Sequence, residues 1–157
     1  MLNKTEIVKI CLQKIEKQLR DVESAAKASA ALATDDEHRA KSKYDTFSLE
    51  TSYLARGQAR RVEETREALS TLRAMPLRSL PSDAEVQMGA LVGVEESSGE
   101  RSWYFLVPSG GGEEVDLGDQ RVDFVTLRSP IAQILLKKRV GDSLQFAKRI
   151  LKITEIS

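Results

Sequence analysis

The run VKICLQKIEKQLRDVESAAKASAALA (residues 8–33) decides how this chain folds. Val8, Leu12, Ile15, Leu19, Val22, Ala26, Ser29 and Ala33 succeed one another at alternating spacings of four and three. All but Ser29 are apolar, and Ser29 is small enough for a close helix contact. Such spacing keeps one stripe of a helix facing a partner and is the seam of a coiled coil. A second seam runs Ala55, Gln58, Val62, Thr65, Leu69 and Leu72. Both seams taper in the same sense if the two helices pair antiparallel. Large residues then meet at Val8–Leu19 and Leu72–Val62, and the small Ala26, Ser29 and Ala33 meet Ala55 and Tyr53. Pairing Leu72 with Val8 puts the turn near Ala40. Each arm is then about 30 residues long and reaches roughly 45 Å at 1.5 Å per residue. A parallel dimer of one long helix would need an apolar seam through residues 34–52, where Asp35, Lys41, Ser42 and Ser48 stand instead.

The composition changes at Pro76. No Pro precedes it and Gly57 is the only Gly before it, so residues 1–75 read as a helical hairpin with its tip near 34–50. Residues 76–84 read as a linker, and residues 85–157 as a second domain. The 24 basic and 24 acidic residues balance, which argues against a broad basic face for nucleic acid. One Cys (Cys11) and one His (His38) leave no Cys/His zinc site within one chain and no disulfide framework. The start, MLNKTEIVKI, lacks the apolar run of a signal peptide, and no stretch approaches the roughly 20 apolar residues of a membrane span. The expectation is a soluble, cytoplasmic monomer with no membrane partner.

The second half reads as an antiparallel β domain with one helix, so the fold class is α+β. EVQMGALVGVEE (residues 85–96), RSWYFLVP (101–108) and VDFVTL (122–127) read as strands, with SSGE a turn and SGGGEE a loop between them. SPIAQILLKK (129–138) reads as a helix, with Ser129 as N-cap, Pro130 in the first turn and Lys137, Lys138 and Arg139 at its negative end. VGDSLQF and RILKITEI read as closing strands around a Gly-Asp turn. The PSGGG loop (108–112) lacks the Gly-Lys-Ser/Thr ending of a phosphate loop.

SPIAQILLKKRVGDSLQF followed by RILKITEI resembles the C-terminal signature of the Gre-type transcript cleavage factors (GreA/GreB): Ser-Pro-apolar-Ala, then Leu-apolar-Gly-Lys, then Gly-Asp. Lys137 stands where the signature has Gly. SYLARGQARRVEE (52–64) resembles the start of that family's second helix. The resemblance implies an antiparallel coiled coil followed by an FKBP-like domain. It also implies a partner, bacterial RNA polymerase, with the globular domain at the rim of its secondary channel and the coiled coil reaching the active centre. Ser129, Pro130 and Ile131, the head of the signature, are then the candidate docking residues. The nascent RNA end is a further candidate contact.

A tip at that place can act through the polymerase's own chemistry. Two Mg²⁺ ions stabilise the attacking and leaving oxygens of an in-line displacement. Mg²⁺ takes oxygen ligands and keeps several waters, so one or two added carboxylates can recruit it, and a carboxylate can orient the attacking water. The expected function is stimulated cleavage of backtracked RNA by the polymerase, with no activity of the factor alone and no tightly bound cofactor. The resemblance implies an Asp, two residues, then a Glu, shortly before a Tyr. Its nearest counterparts here are Asp45 and Glu50, ahead of Tyr53, which are the candidate catalytic and Mg²⁺-sharing pair. They are five positions apart rather than three. Positions five apart on one helix lie about 140° around the axis (steps of roughly 100°), so they converge only if Asp45 sits in the turn. Asp35, Asp36 and Glu37 are the second choice.

Structural readings compete with these. Asp45 can cap the second helix, and TDDE (34–37) matches a capping box at a helix start. His38 reads as a solvated side chain, and Arg39, Lys41 and Lys43 as solubilising charges or phosphate contacts. Arg56, Arg60, Arg61 and Arg66 read as a solvated face, with Arg60 pairing Glu63 and Glu64, or as a match to an acidic channel wall. Two other functions compete. One is a non-cleaving regulator that only occupies the channel, prompted by the altered acid spacing. The other is a prolyl isomerase, prompted only by the FKBP-like fold, which needs an aromatic-lined pocket.

Overall fold

The computed structural model describes residues 2–39 and 45–157, and the side chains of all of these except 35–39 and 45–48. Two long helices come first, α1 (Lys4–Arg39) and α2 (Asp45–Ala74). They are followed by β1 (Leu91–Glu96), β2 (Arg101–Leu106), β3 (Glu114–Leu117), β4 (Gln120–Val125), α3 (Pro130–Leu135), β5 (Ser143–Phe146) and β6 (Arg149–Ile156). The chain forms two compact units, Gln13–Leu69 and Met1–Leu12 with Ser70–Ser157. Among the described residues no helix is long and apolar enough to cross a membrane.

The helices form an antiparallel hairpin, and the predicted seam is what they shelter. Ile15, Val22, Ser29, Val62 and Leu69 are buried, and Leu19, Ala26, Ala33, Ala55, Gln58 and Thr65 are half-buried. Thr51 is buried too and extends the α2 seam one step beyond Ala55. Tyr53, expected on the seam, is instead 61% exposed. Two positions from Thr51 is about 200° around the helix, so the two cannot share a face. Arg66 ties the helices by a 2.9 Å ion pair to Glu23, and both side chains are partly exposed, so the bond is worth about 1 kcal/mol or less. The expected turn residue, Ala40, lies outside the described residues. At the start of α1, Asn3 Oδ1 accepts from the backbone N–H of Thr5 at 2.9 Å and caps the helix.

In the other unit the six strands lie in the order β3-β4-β2-β1-β6-β5. The sheet is mixed rather than antiparallel throughout, because β2 and β4 run parallel, with Tyr104 beside Asp123 and Phe105 beside Phe124. The cause is β3, a strand absent from the expected elements, of which only Glu114 falls in the expected SGGGEE loop. It crosses outward and returns through a tight turn, so β4 must run alongside β2 in the same direction. Val92, Val94, Leu106, Leu135, Leu151 and Ile153 belong to one buried core cluster. Phe105 and Phe124 meet edge to face at 5.3 Å.

Three local expectations are corrected. The strand expected over residues 85–96 begins only at Leu91, because Ala90 N–H turns back to Gln87 O and Gly89 takes φ 83°. The helix expected to reach Lys138 stops at Leu135, with no basic residue in its last turn. Its continuation is diverted: Lys137 N–H donates to Val86 O, Val86 N–H donates to Lys138 O, and Lys137 takes φ 62°. The last hairpin turns at Ala147 and Lys148, both at positive φ, whereas Gly141 and Asp142 precede β5. Two central residues at positive φ match the twist of a two-residue hairpin.

Candidate functional site

The sequence points to two places: the acids near the helix ends and the head of α3. α2 opens at Asp45, so Asp45 and Glu50 are the first and sixth residues of one helix. Glu50 is exposed. Asp35, Asp36 and Glu37 lie in the last turns of α1. The side chains of these three, of His38 and of Asp45 lie outside the described residues, as do Lys41 and Lys43 entirely. Thr34 Oγ1 donates to Ala30 O at 2.9 Å, within α1. Residues 34–37 therefore lie inside α1, not at a helix start, and the capping-box reading fails. The structure adds a feature the sequence reading missed: Leu32, Leu49, Tyr53 and Leu54 are all more than half exposed. The four-residue spacing of Leu49 and Tyr53, off the seam, is the signal that announces it.

Along α2 the arginines are partly spoken for. Arg60 pairs with Glu64 at 2.8 Å, and Arg66 pairs with Glu63 as well as Glu23. Glu63 thus serves Arg66 rather than Arg60.

At the start of α3, Ser129 is the N-cap and Pro130 opens the helix, as expected. Ser129 Oγ accepts from Ala132 N–H at 3.3 Å and donates to Thr126 O at 2.9 Å. Both uses fix the helix start. Ile131 is buried in the core, and of the Ser-Pro-Ile head only Pro130 is exposed. The exposed Leu127 and Arg128 just before it line an open cleft of about 410 Å³ with Met88 and Pro108.

The glycine-rich loop edges a second cleft of about 310 Å³, beside Glu114 and Asp123. Gly112 N–H donates to Phe124 O at 2.8 Å, so the loop is pinned to β4. One carboxylate oxygen of Asp123 is buried with no hydrogen-bond partner among the described residues. Burial, and then the nearby Glu114, push its pKa above the ordinary carboxylate value. Burial, and then Asp123, likewise raise Tyr104. The aromatics that an isomerase pocket would need are used elsewhere: Trp103, Phe105 and Phe124 are buried, and Tyr104 and Phe146 pack against the core. Among the described residues no group of three or more His, Cys, Asp or Glu is placed to hold a metal ion.

Half-buried Lys4 donates at 2.9 Å to the carbonyls of both Arg78 and Gly89. Burial lowers its pKa.

The sequence matches no curated protein. Among solved structures the chain is similar to GreA factor homolog 1 (Gfh1) of Thermus thermophilus, with 17% identity, 93% of this chain and 94% of that chain covered, and a TM-score of 0.40. It is also similar to Gfh1 of Thermus aquaticus, with 19% identity, 92% of each chain covered and a TM-score of 0.37. Residues 81–157 match the C-terminal domain model of the GreA/GreB transcription elongation factors. The chain thus carries a C-terminal domain of the GreA/GreB family.

Proposed function

We infer that this protein enters the secondary channel of RNA polymerase and regulates transcription there without stimulating RNA cleavage. Gre-family factors act on RNA polymerase and are not enzymes themselves. The finer reading rests on one observation: α2 begins at Asp45, so Asp45 and Glu50 share a single helix. Five positions on a helix separate them by about 140° around the axis and about 7.5 Å along it. Joint ligation of Mg²⁺ needs both oxygens about 2.1 Å from one ion, and that spacing does not fit it. Asp35, Asp36 and Glu37 are consecutive on α1, each about 100° from the next, and fit no better. A hairpin can still fill the channel without supplying such a pair, and it then competes with whatever else needs the passage. Adding the purified protein to a stalled, backtracked polymerase complex tests this. The expected result is an unchanged rate of RNA shortening, together with displacement of an authentic cleavage factor. Faster shortening, lost in Asp45→Ala and Glu50→Ala, establishes the cleaving function instead.

A further inference from the structure

The chain's zero net charge hides a separation within the β domain. Residues 113–123, which carry β3 and β4, hold five acids against Arg121 alone. Residues 137–152, which carry β5 and the start of β6, hold six cations against Asp142 alone. β3 and β5 are the opposite edges of the sheet, so one edge is acidic and the other basic.

The basic edge is not neutralised from within. Arg139 pairs with Glu85 at 2.9 Å, and Arg149 lies 3.5 Å from Glu96. Lys137, Lys138, Lys148 and Lys152 are exposed and make no ion pair with any described residue. Lys148 and Lys152 belong to the β5–β6 hairpin, and Lys137 and Lys138 to the segment that leads into it. The 137–142 segment enters β5 beside Lys152, which sits opposite Ser143. Lys148 occupies the turn at the other end, about 13 Å from Lys152 at 3.3 Å per residue. Between them on β6, Ile150 is 59% exposed.

A second observation is independent of charge. Among the described residues only Lys137, Ala147 and Lys148 take positive φ without being glycine. All three fall in this segment, and two are among the four unpaired lysines. Glycine adopts that conformation without steric cost, and the signature this segment resembles has Gly where Lys137 stands. Lysine held in an unfavourable backbone position, on the surface, points to a use for its charge.

We propose that this edge binds the phosphate backbone of duplex nucleic acid, without reading sequence. Lysine acts on phosphate as a point charge. Phe146, the one aromatic in the segment, packs against the core, so the edge offers no platform for stacking unpaired bases. The surface is independent of the polymerase-channel reading and can succeed or fail without it.

Anisotropy of a labelled mixed-sequence DNA duplex, titrated with the full chain at several salt concentrations, is the test. Four phosphate contacts predict a log–log salt slope of about −3.6, or roughly 100-fold weaker binding on going from about 50 to 200 mM salt. Lys148→Ala with Lys152→Ala should halve the slope to about −1.8, with an unchanged melting curve showing that the fold is intact. Asp116→Ala with Asp119→Ala, on the opposite edge, should leave binding as tight or tighter. No binding at about 50 mM salt, or a slope indifferent to the lysine substitutions, overturns the proposal. So does equal competition by polyglutamate, which assigns the edge to an acidic protein partner.

Discussion

At Gly93 an added Cβ would lie 2.9 Å from the nearest atom of the ring of Trp103, its partner on the neighbouring strand. Trp103 is itself buried, so it has little room to retreat. Gly93→Ala should therefore cost about 1–3 kcal/mol, the usual range for overpacking, read as a lower urea midpoint. Asp123 makes the opposite case. Its folded pKa is raised, so the native state takes up a proton more readily than the unfolded chain. Its stabilising influence is then fully present below the unfolded carboxylate range and lost as pH rises through the folded pKa. Asp123→Asn should raise Tm at pH 7, and the gain should shrink as pH falls through the carboxylate range. A gain that persists unchanged at acid pH would assign the effect to packing. Neither residue was legible in the sequence. Gly93 reads as an unremarked break within a strand until Trp103 is known to face it, and Asp123 gains its burial and its neighbour Glu114 only through the pairing of β3 with β4.

The elements were legible to the degree that their signals are local. The seam of α1 and α2 comes from periodicity alone, and the structure shelters the same residues. The N-cap of α3 was readable because Ser-Pro carries its mechanism in two residues. Ser129→Ala removes both the bond from Ala132 and the bond to Thr126, and should lower stability by about 1 kcal/mol. Where elements were misjudged, distant partners had won. α3 ends early because Val86 exchanges backbone bonds with Lys137 and Lys138, from some fifty residues upstream. The Ala147–Lys148 turn carries neither Gly nor Asn, the residues that normally announce positive φ. β3 was masked by the glycines before it, and the parallel pairing of β2 with β4 has no local signature at all. Lys137→Gly should relieve the left-handed strain at that site, worth up to about 1–2 kcal/mol for an L-residue and partly offset by glycine's greater freedom when unfolded. A rise in the thermal midpoint, with DNA affinity reduced, would link this position to the basic edge.

At the scale of the whole molecule, the order of hairpin, linker and β domain was read from the change in composition at Pro76. The family was read from the Ser-Pro to Gly-Asp segment, which falls within the matching residues 81–157. The acidic site was the least legible part. A polar, charged stretch between two helices satisfies the demands of a solvated turn and those of a metal-sharing tip equally well, and the sequence alone does not set the helix boundaries. Those boundaries put Asp45 and Glu50 on one helix. We therefore make a single functional claim, that the protein occupies the polymerase channel without directing cleavage. RNA shortening in a backtracked complex, measured with this protein alone and then with this protein added to an authentic cleavage factor, tests that claim most directly. The predicted result is no shortening above background in the first case and inhibition of the authentic factor in the second. Shortening by this protein alone, abolished by Asp45→Ala or Glu50→Ala, would contradict it.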